Sequence, residues 1–172
     1  MKRLIRKIYF YWKTRHSFNY LNNLSLKYPI KSGELKNVLI ILPRQMEYID
    51  PAIVFVRRFK QHFRHWQYMI LDIDKVLSDK LNFLDLPNEN FIKKLSVANF
   101  DLAVDLNQEF DLRIGYLVTL LKIPYRVHLM NNDGKYYNIM VKSRSTTYQN
   151  YDFVLKYLKT IFITEESSKT EF

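Results

Sequence analysis

The densest run of groups able to do chemistry is Asn99-Phe100-Asp101-Leu102-Ala103-Val104-Asp105-Leu106-Asn107, a strand-like stretch that ends in a carboxylate and an amide. Open α/β sheets bind ligands beyond the carboxyl ends of their strands, so Asp105 and Asn107 are candidate ligand-binding residues; polar residues are also common there without any ligand. A second stretch, Leu42-Pro43-Arg44-Gln45-Met46-Glu47-Tyr48-Ile49-Asp50-Pro51, follows another apolar run. Glu47 and Asp50 are carboxylates of the type that serves as a general base, and Arg44 is a cation of the type that binds an anionic ligand. Asp50 directly before Pro51 also has a simpler use, as the cap of a helix that begins with the proline. Asp72-Ile73-Asp74 offers two carboxylates of the kind that hold a divalent ion against a diphosphate, although a solvated loop needs no such role for them. His62 and His65 lie beside Arg58 and Arg64 with no carboxylate neighbour, the pattern of a solvated basic face and not of a metal site. Cysteine is absent and Gly33, Gly115 and Gly134 are the only glycines, which excludes disulfides, thiolate chemistry and glycine-rich phosphate loops. No cofactor and no metal ion are expected.

These residues need a scaffold, and the apolar patterning supplies one. Val38-Leu39-Ile40-Ile41-Leu42 is apolar on both parities, as in a strand buried on both faces. Ile53, Val56, Phe59 and Phe63 then recur at helical spacing and predict a helix over 51–63. A strand over 66–71, a helix over 88–95, a strand within 98–106, a helix over 111–121 and a strand over 125–130 follow in turn. Asn132-Asp133-Gly134 reads as a tight turn into a strand over 136–141. A closing helix over 151–161 has Phe153, Leu155, Tyr157, Leu158 and Ile161 available for packing. Strands that alternate with helices pair in parallel. The expected fold class is therefore α/β, a Rossmann-like doubly wound sheet with helices on both faces, occupying residues 34–163. Residues 1–33 form a basic helical arm and connector, and 164–172 a polar tail.

The chain of 172 residues carries a formal net charge of +10, and its distribution is uneven. No acidic residue precedes Glu34, whereas Lys2, Arg3, Arg6, Lys7, Lys13, Arg15, Lys27 and Lys31 all do. On a helical wheel Met1, Leu4, Ile5, Ile8, Tyr9, Tyr11 and Trp12 share one arc, opposite Lys2, Arg3, Arg6, Lys7 and Lys13; Phe10 falls on the basic side. Such an arm either docks on the domain or meets an anionic membrane surface through its basic residues and Trp12. Nucleic acid is the less favoured partner, because the bases share their helix with an apolar arc. No apolar run reaches the roughly 20 residues needed to span a bilayer, so the expectation is a cytoplasmic protein, placed by its arm at the inner face of the membrane.

The Asn99 to Asn107 strand, followed by a helix and then Lys122-Ile123-Pro124-Tyr125-Arg126-Val127-His128-Leu129, resembles the N-terminal half of the heptosyltransferase family of two-domain glycosyltransferases (glycosyltransferase family 9, GT-B fold). It equally resembles short bacterial proteins that keep only this half. The resemblance spans residues 36–142. It implies a Rossmann-like domain in which a carboxylate after the first strand faces an acceptor sugar, a place that Asp50 or Glu47 would take, although the glycine of the family's Gly-Asp pair has no counterpart. The family binds its sugar donor through a second domain. The resemblance therefore implies a glycosyltransferase-like half that assists cell-envelope sugar assembly without being a complete catalyst, or one completed by a partner chain.

Overall fold

A computed structural model describes residues 2–75, 80–129, 135–141 and 151–163, except for the side chain of Arg3. The chain runs α1 (Lys2–Asn22), β1 (Ile30–Lys31), a 3-10 turn (Ser32–Glu34), β2 (Asn37–Ile41), a second 3-10 turn (Met46–Tyr48) and α2 (Ile49–His62). It continues through β3 (Gln67–Leu71), α3 (Glu89–Ser96), β4 (Leu102–Asp105), α4 (Leu112–Leu120), β5 (Tyr125–His128), β6 (Ile139–Met140), α5 (Tyr151–Ile161) and β7 (Phe162–Ile163). The main sheet has five strands in the order β3-β2-β4-β5-β6, every pair parallel. This is the expected Rossmann-like α/β fold, in the strand order of flavodoxin-type doubly wound sheets.

Alternation along β2 explains the two-faced burial. Val38 and Ile40 join Leu102, Val104 and Val127 under α2 and α5, while Leu39 and Ile41 join Ala103 under α3 and α4. The connection after β2 thus covers one face and the connection after β4 the other, which leaves a crevice between two adjacent strands at their carboxyl ends. Outside the main sheet, β1 and β7 pair in parallel and stitch the connector after α1 to the end of α5.

Several expectations shift by a fraction of a turn. Helix α2 begins at Ile49 after the 3-10 turn, so Tyr48 is its cap residue and Asp50 lies in the first turn without a capping role. Pro51 is tolerated there because first-turn amides have no partner within the helix. The stripe that α2 buries is Ala52, Phe55, Val56 and Phe59, and Ile53 faces outward. In α5 the buried residues are Tyr151, Val154, Leu155 and Leu158, leaving Phe153 and Tyr157 partly exposed. Strand β6 pairs in parallel with β5, so the chain must return to the start of β5 before pairing and no hairpin joins the two. The Asn132-Asp133-Gly134 turn and the 164–172 tail lie outside the described residues.

The arm departs most from expectation. Helix α1 docks through Phe10, Thr14, Ser17 and Leu21, all buried and spaced by four, three and four residues. Phe10 sits among Tyr116 of α4, Tyr136 and Phe18, with ring centroids 5.7, 5.2 and 6.3 Å away. Thr14 spends its hydroxyl on the Phe10 carbonyl at 2.7 Å, so its burial leaves no unmet donor. The apolar arc read from the wheel points the other way: Leu4, Ile5, Ile8, Tyr11 and Trp12 are exposed.

This arrangement separates two substitutions only two residues apart on α1. Phe10→Ala should cost about 3–5 kcal/mol of stability in chemical denaturation, the range for emptying a closed aromatic site. Trp12→Ala should stay within about 0.5 kcal/mol, as for exposed positions.

Candidate functional site

The crevice between β2 and β4 is held by a buried polar unit. Asp105 ends β4 with no exposed surface. It accepts hydrogen bonds from the Asn107 backbone N–H at 3.0 Å, the Asn107 side-chain amide at 2.7 Å and the Tyr137 hydroxyl at 2.5 Å. His128 Nε2 lies 3.8 Å from the same carboxylate, its ring stacked on Tyr137. Asn107 in turn donates to the Leu42 carbonyl at 3.1 Å and accepts from the Arg44 backbone N–H at 3.0 Å. The exit loop of β2 is thereby tied to the exit loop of β4. Tyr137 is delivered by Arg126, whose guanidinium donates to the carbonyls of Tyr136 and Ile123 at 2.7 and 2.6 Å.

Burial pushes the Asp105 carboxyl above the ordinary carboxylate range, against the opposing influence of His128, Tyr137 and Asn107. It also drives the Tyr137 hydroxyl well above its usual value, reinforced by the neighbouring carboxylate. Asp105 therefore orders the edge from beneath and presents nothing to solvent.

Above it lies a network of charges. Arg44 Nε contacts Asp74 at 2.9 Å and Arg44 Nη1 contacts Asp111 at 3.0 Å. Arg113 Nη2 reaches the same two carboxylates at 3.3 and 2.8 Å. Asp111 caps α4, accepting from the Arg113 backbone N–H. Burial would raise its carboxyl, but the hydrogen bonds and charge of Arg113, joined by the charge of Arg44, hold it below the usual range. Two clefts flank the network. The larger, about 670 Å³, is walled by Arg6 and Lys7 of α1, Arg44, Phe110, Leu112 and Arg113, with Asp85 and Asp111. The smaller, about 270 Å³, lies among Arg44, Gln45, Asp74, Asn107, Glu109 and Asp111.

Of the residues singled out in the sequence, Arg44 and Asn107 meet at this edge, with Asp105 beneath them. Glu47 is exposed on the 3-10 turn and Asp50 is exposed on α2; neither lines either cleft. In the arm, Arg6 and Lys7 reach the larger cleft, Lys2 pairs with Asp85 at 2.9 Å, and Lys13 pairs with Glu89 at 2.5 Å. Trp12 faces solvent, and the Arg3 side chain is outside the described residues. Asp74 of the Asp-Ile-Asp segment is bound by two arginines, while Asp72 accepts from the Asp74 and Lys75 backbone amides and pairs with Lys75. Sequence reasoning missed Arg113, Phe110 and Tyr137. The spacing Asp111-Leu112-Arg113 at a helix start is a signal for the first, since a capping carboxylate two residues away can bind the guanidinium.

The raised Asp105 carboxyl sets a pH dependence. The folded chain retains that proton to higher pH than the unfolded chain, whose carboxyl titrates near the ordinary value of about 4. Over the window from there up to the raised value the folded state binds more protons, so this group's contribution to stability is lost as pH rises. Asp105→Asn should remove that component: in thermal melts of both chains from acid to neutral pH, the stability of the parent relative to the variant should decrease as pH rises.

Compared with known protein families, with curated proteins and with solved structures, the chain has no match.

Proposed function

We propose that this protein is a membrane-peripheral α/β domain whose arm lies on an anionic bilayer surface, on the cytoplasmic side. One observation carries the reading: α1 docks through Phe10, Thr14, Ser17 and Leu21 and turns Leu4, Ile5, Ile8, Tyr11 and Trp12 outward. Ile8 is 60% and Trp12 67% exposed, though both belong to residue types that folding normally hides. A contiguous apolar surface of this kind marks an interaction site.

A bilayer fits that surface better than a protein groove. The patch lies along the outside of a helix, includes a Trp suited to the headgroup level, and has Arg15 exposed at its C-terminal end, where the side chain can extend to lipid phosphates. Complete transfer of an Ile or Leu side chain out of water is worth roughly 1.5–3 kcal/mol. The net charge of +10 adds long-range attraction to an anionic leaflet. Among the described residues no helix is long and apolar enough to cross a membrane, so attachment through α1 would be to the surface.

The wider proposal is that the domain is a glycosyltransferase-like half assisting envelope sugar assembly beside a partner chain that supplies the second domain. It draws on the resemblance of residues 99–107 to the heptosyltransferase strand. A self-contained transferase using Asp50 or Glu47 as base is less well supported, because neither carboxylate lines either of the two clefts at the charged edge.

Co-sedimentation with vesicles tests the reading. The full chain should pellet with vesicles containing phosphatidylglycerol and far less with pure phosphatidylcholine. Ile8→Glu should weaken attachment by about tenfold or more, since it places a charge in the apolar patch. Failure of the parent chain to bind anionic vesicles would end the membrane reading. So would a dimer in lipid-free solution that Ile8→Glu dissolves, which would assign the patch to a second copy. Strongly salt-dependent oligonucleotide binding without vesicle binding would favour nucleic acid instead.

A further inference from the structure

The docked side of α1 changes character along its length. Phe10, Thr14, Ser17 and Leu21 pack on the domain, whereas Arg6 and Lys7, one turn earlier, overhang the carboxyl edge of the sheet and wall the larger cleft. We propose that this cleft binds a ligand bearing a dianionic phosphate group, held jointly by the arm and by the loops after β2 and β4.

Charge balance is the first support. The cleft and its direct ion partners bring together five cationic groups, Lys2, Arg6, Lys7, Arg44 and Arg113, against three carboxylates, Asp74, Asp85 and Asp111. Each carboxylate is already in contact with Lys2, Arg44 or Arg113, so a surplus of two positive charges resides on Arg6 and Lys7. That surplus matches a phosphomonoester or one end of a diphosphate. The second support is independent of charge. The Arg6 Nε is cut off from solvent and has no hydrogen-bond partner among the described residues. With its Nε already withdrawn from water, the Arg6 guanidinium has less hydration to lose when its outer nitrogens, at the cleft wall, meet a phosphate.

The third support is shape. A volume of about 670 Å³ suits a small organic phosphate. Phe110 and Leu112 form an apolar wall that can take the non-phosphate part of such a ligand. Phe110 is held there by stacking on Tyr136, centroids 4.9 Å apart, and by the bare Cα of Gly115, where an added methyl would meet the ring at 2.8 Å.

The phosphate can belong to a soluble compound or to a lipid headgroup, and the test separates the two. In calorimetric titration at low ionic strength the full chain should bind inorganic pyrophosphate. Arg6→Gln combined with Lys7→Gln should weaken this by about tenfold or more, with an unchanged melting temperature. Ile8→Glu, on the opposite face of the helix, should bind pyrophosphate like the parent chain whether or not it attaches to membranes, so failure of the membrane reading leaves this result intact. Vesicles containing phosphatidic acid, compared with phosphatidylglycerol at the same mole fraction, then identify the source. A preference for the phosphomonoester lipid that the double variant loses assigns the site to a headgroup. Equal attachment to both lipids, with pyrophosphate binding retained, assigns it to a soluble phosphate. Absence of pyrophosphate binding by the parent chain, or equal affinity in the double variant, would overturn the proposal.

Discussion

A carboxylate with no exposed surface, Asp105, is the fixed point of this structure. Burying it is costly unless its lone pairs are met, and it is met by the Asn107 backbone, the Asn107 amide and the Tyr137 hydroxyl. Those three contacts join the end of β4, the loop beyond it and the segment before β6. Through Asn107 the tie extends to Leu42 and Arg44 on the neighbouring strand's exit. At the opposite end of the sheet, Asp101 accepts from the backbone amides of Lys36 and Asn37, so β2 is pinned where it enters as well as where it leaves. The polar residues of one short segment thus brace β2 at both ends, and the charged edge above is positioned as a result.

Helix α4 shows why the arm belongs to the fold. Residues 114–119 are all buried, which one sheet face alone cannot achieve for a helix. Ile114, Leu117 and Val118 face the sheet, while Tyr116 packs with Phe10 of α1. The arm is a further layer over α4, and its ion pairs from Lys2 to Asp85 and from Lys13 to Glu89 flank that contact. Both pairs are largely solvated and contribute little energy beside the burial of Phe10.

The parts of this architecture readable from residues alone were those where side-chain type and period agree. β2 and β4 are apolar on both parities, and both are interior strands. The start of α3 was legible because Asn88 caps it through the Phe91 N–H. Phase was harder. The α1 wheel assumed that the larger apolar arc is the buried one, yet the helix approaches α4 through Thr14 and Ser17, whose small size permits close contact and whose polarity hides it from hydropathy. Phe10 alone signalled that face, as an aromatic stranded among bases. In α2 the outward Ile53 was preferred to the inward Phe55 for the same reason: both are apolar and only the partner surface distinguishes them. At the edge, Asp105 and Asn107 were found by position, but their mutual bonding depends on Tyr137, far along the chain. Arg113 escaped notice because its helix reads as core.

The two sides of α1 have a thermodynamic consequence. Arg6 and Lys7 share a rigid rod with Phe10, so whatever bridges them to Arg44 and Arg113 also fastens the arm to α4. By reciprocity, loosening the arm must weaken that bridge by the same factor. Undocking would also bring Phe10 and Leu21 into solvent beside Leu4, Ile8 and Trp12, turning a one-sided apolar helix into one apolar on both sides. If the cleft is occupied and α1 meets an apolar phase as proposed, the two are opposed: a ligand bridging the arm to the sheet edge would limit the depth to which α1 can enter.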